Sequence, residues 1–325
     1  MHTYLRQIQN TLKTDYSKYK ETFATVMTSN VVLIDKITKY IVRHKGKGLR
    51  PLLVLLSARL LGNPNESTYL VATIVELLHT ATLVHDDVVD NAQVRRSFPS
   101  INAIWKNKIS VLMGDYLLSK SLIAATQIGN IEIMHILAET AKRLSKGELF
   151  QIEKSRKLDI MEEEYYQLIS DKTAALIAAC CELGSITVSN NSEDRKNLRT
   201  YGENLGIAFQ IKDDLLDYEG SQSVLGKPVG ADLKEKKITL PLIMSFKNAP
   251  AKDKKTIIKL LKKGVDRGDI KKIVSFCEEY GGLNSAQDAA LHFAQKAKDS
   301  IIGYSDGPYL RSAKLFVDYV ISRKR

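Results

Sequence analysis

LVATIVELLHTATLVHDDVVD, residues 70–90, is apolar almost all round a helix until it reaches Asp86, Asp87 and Asp90. Such a helix belongs at the centre of a bundle rather than on its surface. Its start reads as Asn63 at the N-cap, Pro64 in the first turn and Glu66 reaching back. Some 25 residues then make a rod of roughly 37 Å. At its far end Asp86 and Asp90 share a face, with Asp87 beside them. Like charges at that spacing repel, a helix C-terminus disfavours anions, and Asp is a weak helix former. Hard divalent cations, which prefer carboxylate oxygens, would offset these penalties. A solvated acidic helix end is the plain alternative.

A second cluster weighs against that alternative. AFQIKDDLLDYEG places Asp213, Asp214 and Asp217 at the same spacing, again after an apolar helical run. Two such walls facing each other would make a cavity of six carboxylates. Mg²⁺ seldom takes an all-protein cage and commonly shares phosphate oxygens, so the fitting guest is a diphosphate. Cationic groups cluster with these motifs: Lys45, Lys47 and Arg50 in HKGKGLRP, Arg95 and Arg96 after the first acids, Lys172 in SDKTAAL, and Lys227 and Lys237 in the Gly- and Lys-rich stretch 219–237. Arg offers phosphate a bidentate fork, and glycines let backbone approach an anion closely. His79 and Gln210 interrupt apolar helices one or two turns before each acid cluster.

Outside these motifs, helical periodicity dominates. Helices are expected near 30–43, 50–61, 111–127, 131–153, 162–182, 194–218 and 238–247. Basic amphipathic ones follow near 252–263, 268–280, 284–301 and 308–323. No long segment alternates as a half-buried strand would. The expectation is one all-α domain over residues 1–325, a bundle of long antiparallel helices around a central cavity. The chain's 325 residues, 44% of them hydrophobic, suffice for a large core. Charged residues break the apolar runs before about 18 residues, so no membrane span is expected. The first 20 residues lack a signal-peptide core. Cys180, Cys181 and Cys277 match no metal-ligand spacing, which points to a reducing cytoplasm. The net charge of +11 suits an anionic partner: nucleic acid, a membrane surface or a phosphorylated small molecule.

From about residue 40 to 245 the sequence resembles the trans-isoprenyl diphosphate synthases, or polyprenyl synthetases, most closely the bacterial octaprenyl and heptaprenyl types. GKGLRP, ELLHTATLVHDDVVDNAQVRR, NAIWKNKISVLMGDYLLSKSL, SKGELFQ, KTAAL, GIAFQIKDDLLDY and LGKPVGADLKEKKITLPLI occur in the family's order. Three positions depart from its pattern. Gly48 replaces a basic residue, and Ser97 and Lys236 replace glycines. The resemblance implies the isoprenoid synthase fold and Mg²⁺-dependent head-to-tail condensation of isopentenyl diphosphate onto an allylic diphosphate. It implies three Mg²⁺ per site, held by Asp86, Asp87, Asp90, Asp213 and Asp214 with Asp217 in support. Arg95, Lys172, Thr173, Gln210, Lys227 and Lys237 would contact the allylic diphosphate. Lys47, Arg50, His79 and Arg96 would bind isopentenyl diphosphate, with Arg323, Lys324 and Arg325 closing over it. A homodimer and a product for quinone side chains are also implied.

In short-chain members bulky aromatics precede the first acids, whereas Ala81 and Thr82 stand there in this chain. That implies an open tunnel and a product of about C30 to C40, with Leu118, Leu122 or Leu137 as candidate floor. Other readings are a geranylgeranyl or farnesyl diphosphate synthase, a class I terpene cyclase, and a basic binding module using TIIKLLKKG near 256–264. Only weak, nonspecific nucleic-acid retention is expected, together with weak peripheral membrane contact for a greasy product.

Overall fold

The computed structural model describes residues 2–44, 46–219 and 230–323. The opening stretch lies in α5, Glu66–Val89, surrounded by α2 (Lys13–Val26), α4 (Leu49–Leu61), α6 (Ile101–Ile128) and α9 (Ala175–Ile186). Its cap differs from the expectation. The N-cap is Asn65, whose side chain accepts from the Thr68 N–H while the Thr68 hydroxyl accepts from the Asn65 N–H. Asn63 instead accepts a bond from Arg59 Nη1 at 2.7 Å. The remaining helices are α1 (His2–Thr11), α3 (Val32–Arg43), α7 (Ile131–Lys157), α8 (Glu162–Ile169), α10 (Ser192–Glu219), α11 (Ala231–Lys234), α12 (Leu240–Asn248), α13 (Ala251–Lys263), α14 (Arg267–Glu279), α15 (Gly282–Asp299) and α16 (Pro308–Ile321). The helix expected over 162–182 is interrupted by a π-turn at Ser170–Ala174. Two apolar clusters, one around α4, α5 and α9 and one around α12–α15, both pack against Phe293 and Ile321.

Two helices, Glu66–Val89 and Ile101–Ile128, are long and apolar enough to cross a membrane by length and composition. That corrects the expectation from charge interruptions. The first is mostly buried inside the bundle, whereas α6 turns Val111, Leu112, Leu122 and Ile123 outward. The segment read as a basic amphipathic helix, α13, buries its apolar residues Ile257 and Leu261 in the second cluster. Its amphipathicity is therefore accounted for by packing.

The first two helices were not expected. α1 packs on α16, and α2 is tied to α4 and α5 through a buried carboxylate. Arg59 donates to both oxygens of Asp15 at 2.8 and 2.9 Å, and the Tyr69 hydroxyl donates at 3.2 Å. Arg59→Met leaves Asp15 buried without its cation. The expected loss is about 2–3 kcal/mol in denaturant unfolding, less than for a fully buried pair because Arg59 keeps some contact with water.

The structure also contains a two-stranded hairpin, β1 (Val94–Arg95) and β2 (Phe98–Pro99). Its two-residue loop puts Arg96 and Ser97 at φ of 54° and 67°. Hairpin loops of this kind favour glycine or asparagine, so the turn is strained. Lys236, the other departure from a glycine pattern, also has positive φ, 59°. Inside α6, Lys106 sits at φ 70°, ψ 167°, a region that glycine alone adopts readily. Lys106→Gly is expected to stabilise the protein by about 1–2 kcal/mol, read as a higher unfolding midpoint at unchanged slope.

Candidate active site

The ends of α5 and α10 come together around a cavity of about 250 Å³. Asp86 and Asp90 line it from the first cluster and Asp214 from the second. Arg95, Lys172, Thr173, Gln210 and Lys237 line it as well. A smaller cavity of about 70 Å³ adjoins it across Leu83 and Arg95, which line both. His79, Arg96, Asp87 and Glu76 face this second space.

The walls are built by specific bonds. Lys172 Nζ donates to Gln151 Oε1 at 2.6 Å and pairs with Glu148 Oε2 at 2.6 Å. The Thr173 hydroxyl donates to Gln210 Oε1 at 2.7 Å, and Gln210 Nε2 donates to Asp214 Oδ1 at 2.8 Å. The buried Tyr165 hydroxyl donates to the other Asp214 oxygen at 2.6 Å. Gln210 thus orients the acid one turn further along its own helix.

Three of the six aspartates are placed differently from the expectation. Asp87, 2% exposed, lies outside the larger cavity and accepts from Arg95 Nε at 2.7 Å. Asp213 pairs with Arg323, whose guanidinium also stacks over Phe209 at 4.0 Å. Asp217 accepts at one oxygen from the Ala231 N–H and at the other from the Asp232 N–H. It caps α11, because a carboxylate there satisfies the orphan donors of a helix N-terminus. In its stead Asp232 lines the cavity, a residue that sequence reasoning did not single out.

Electrostatics follow from burial. The Asp86 carboxyl is pushed up to about 6, chiefly by burial and then by Glu148, with Lys172 and Arg95 opposing. Burial also raises Asp213, opposed by Arg323. Asp214 is raised well above the carboxylate range by burial and by Asp232, against the bonds from Tyr165 and Gln210. Asp86 and Asp214, whose charged forms are penalised, line one cavity together, which suits a hard divalent cation. Among the described residues no three acidic, His or Cys side chains converge closely enough to hold an ion alone. Such an ion would therefore complete its shell with water and diphosphate oxygens, as Mg²⁺ commonly does.

The second cavity mixes two arginines, Arg95 and Arg96, with two carboxylates, Glu76 and Asp87. Burial lowers the His79 pKa well below its usual value, and Arg50, Arg96 and Arg95 add to the effect, so the imidazole is neutral. Burial lowers the pKa values of Arg50 and Arg96 from their usual range, and the charge of Glu76 opposes that shift in both. The Arg50 Nε is buried with no partner among the described residues. The Arg96 guanidinium lies so close to Gly46 that a Cβ there would come within 2.6 Å of it. Lys47 donates from Nζ to the Tyr319 hydroxyl at 3.0 Å. Lys45, Lys227, Lys324 and Arg325 lie outside the described residues.

Ala81 is 2% exposed and Thr82 half-buried, its hydroxyl bonded to the His79 carbonyl at 2.8 Å. Leu137 is buried and Leu118 partly so, but Leu122 is 49% exposed and turns away from the interior. Glu76, Glu148, Gln151 and Tyr165 were also missed. Glu148 and Gln151 stood in the quoted SKGELFQ motif, three residues apart on one helical face.

Residues 31–277 match the family model described as polyprenyl synthetase. The chain is 35% identical over 295 residues to octaprenyl diphosphate synthase of Haemophilus influenzae, covering 91% of this chain and 90% of the relative. It is 35% identical over 248 residues to heptaprenyl diphosphate synthase component 2 of Geobacillus stearothermophilus, covering 76% and 78%. The solved polyprenyl synthase of Caulobacter crescentus, complexed with calcium and isoprenyl diphosphate, matches at a TM-score of 0.92 and 30% identity, over 99% of this chain and 98% of that one.

Proposed function

The chain belongs to the polyprenyl synthetase family, and from that premise we propose that it is a prenyltransferase: a long-chain trans-polyprenyl diphosphate synthase adding isopentenyl diphosphate head-to-tail to farnesyl or geranylgeranyl diphosphate. One observation carries the reading. An acid- and cation-lined cavity adjoins a second one, where Arg95 and Arg96 stand beside Glu76 and Asp87, across Arg95 and Leu83, which provides for two diphosphates with their reacting ends close together.

In this reading Asp86, Asp90 and Asp214 would hold Mg²⁺ against the allylic diphosphate, with Asp232 in reach of the same space. When bound, Mg²⁺ supplies Lewis-acid stabilisation of the leaving group. Arg95, Lys172 and Lys237 stabilise the same developing charge through preorganised donors. Arg50, His79 and Arg96 orient isopentenyl diphosphate, whose double bond attacks the allylic carbon, and the released diphosphate takes the lost proton. Leu83, Leu168, Ile169 and Ile238 give the larger cavity apolar walls, which keep water from the cation. No side chain acts as nucleophile.

The proposal extends to a homodimer, supported by the outward apolar face of α6, since unpartnered patches of this kind mark association surfaces. It places the reaction in the cytoplasm, in keeping with three buried free cysteines, with the product serving quinone side chains. The lysines left facing out on α13 support a weak electrostatic contact with membranes. A second reading, in which another subunit is required, is favoured by the component naming of the Geobacillus relative. Incubating the purified protein with labelled isopentenyl diphosphate, farnesyl diphosphate and Mg²⁺, and chromatographing the dephosphorylated products, tests the activity, the product length and whether a second chain is needed. Products of C30–C40 from the protein alone support the first reading. Activity that needs a second chain supports the second, and no elongation under either condition removes both.

A further inference from the structure

Lys172 and Thr173 do not sit on an ordinary helix. Ser170–Ala174 forms a π-turn between α8 and α9. Such turns are rare, occur mostly as single bulges within helices, and are frequent at functional sites. The contacts that hold this one come from Ser170 and Asp171, the residues just ahead of the pair that faces the cavity. Arg143 of α7 donates from Nε to Asp171 Oδ1 at 2.8 Å, and from Nη2 to Ser170 Oγ at 2.8 Å and to Glu203 Oε1 of α10 at 3.0 Å. The Ser170 hydroxyl donates to the same Glu203 oxygen at 2.6 Å, and Gln167 Nε2 donates to Asp171 Oδ2 at 2.9 Å. Asp171 is 4% exposed. Burial alone would raise its pKa, yet the bonds from Arg143 and Gln167 bring it below the usual value.

The same face of α7 continues the grip. One turn after Arg143, Gly147 packs so tightly that a Cβ there would come within 2.9 Å of the Lys172 backbone nitrogen. Glu148 and Gln151 then receive the Lys172 ammonium. Each residue of an α-helix turns the chain by about 100°, so relaxation of the π-turn to α-helix would swing Lys172 out of this seat.

We propose that Arg143 is a positioning residue for prenyl transfer, clamping the π-turn to α7 and α10 so that Lys172 and Thr173 face the diphosphate cavity. The proposal rests on the function proposed above, and the test separates the two. Elongation of farnesyl diphosphate by the unsubstituted full chain with isopentenyl diphosphate and Mg²⁺ is the check on the function itself. Given that activity, Arg143→Met is expected to lower kcat/KM for farnesyl diphosphate about 30–100-fold, with KM for isopentenyl diphosphate within about threefold. Arg143→Lys, which keeps the charge but places its donors on a single nitrogen, should recover about tenfold of that loss. Added to Lys172→Met, Arg143→Met should cost less than about threefold more, because both changes remove one function. An equal loss in both backgrounds, or a folded Arg143→Met within about threefold of the unsubstituted protein, overturns the proposal. Should Arg143→Met fail to fold, Glu203→Gln and Ser170→Ala loosen the clamp from its other side, and the same comparison against Lys172→Met decides.

Discussion

Asp214→Asn is expected to lower prenyl transfer by about 10²–10³-fold while the protein folds normally. Asp214 is 4% exposed, and Tyr165 and Gln210 both donate to it. Asparagine preserves its size and removes its charge; its amide N–H₂ replaces the oxygen that Tyr165 donates to, so the Tyr165 hydroxyl turns to accept. In the absence of a divalent cation that charge is unfavourable, because burial and Asp232 both penalise it. The variant treated with chelator should therefore melt at or above the temperature of the unsubstituted protein. Asp86 adds a pH signature by the same linkage. Its folded pKa of about 6 lies above the unfolded value near 3.8. Its stabilising contribution is thus fully present below 3.8 and is lost as pH rises through 6. Measured against an Asp86→Asn variant, which cancels the opposing titrations of His79 and Asp171, the chelated protein should gain stability on acidification across that window, and added Mg²⁺ should abolish the gain. Activity within tenfold of the unsubstituted enzyme would remove Asp214 from the proposed machinery, and a variant that melts well below it would overturn the claim that its buried charge is unfavourable.

Ala81→Phe should shorten the product from the proposed C30–C40 to about C20 or less. Ala81 is buried on α5 five residues before Asp86. One turn further on, His85 packs against Gly114 of α6, so Ala81 faces the seam between these two helices. A chain growing from the acid end would extend along that seam, and an aromatic ring there would stop it. Overpacking is expected to cost about 1–3 kcal/mol. Ala81→Leu provides the graded control, with products between the two. Chromatographic profiles identical for all three proteins would show that the growing chain runs elsewhere.

How far these features could be read in advance depended on their range. The α5 rod and both acid clusters were legible, because helical spacing and like-charge crowding are local properties. The first two helices were legible in principle. Leu5, Ile8, Leu12, Tyr16, Tyr19, Phe23 and Met27 recur every three or four residues, and all but Tyr16 are buried. Their polar flanks masked the period. The acid at position 15 gave no hint of its partner, since Arg59 lies 44 residues away.

The sequence by itself determined that the chain is helical, that two aspartate triplets end apolar helices, and that cations accompany them. Only the tertiary structure decided which carboxylates share a cavity. Asp217 went to a helix N-terminus and Asp213 to Arg323, while Asp232 entered from a short helix beyond the second triplet. It also decided that SDKTA would form a π-turn, since Arg143 and Glu203 arrive from separate helices. Spacing along one helix fixes which side chains share a face. Which face meets which cation, and which backbone N–H lacks a partner, is set by elements far apart in the chain.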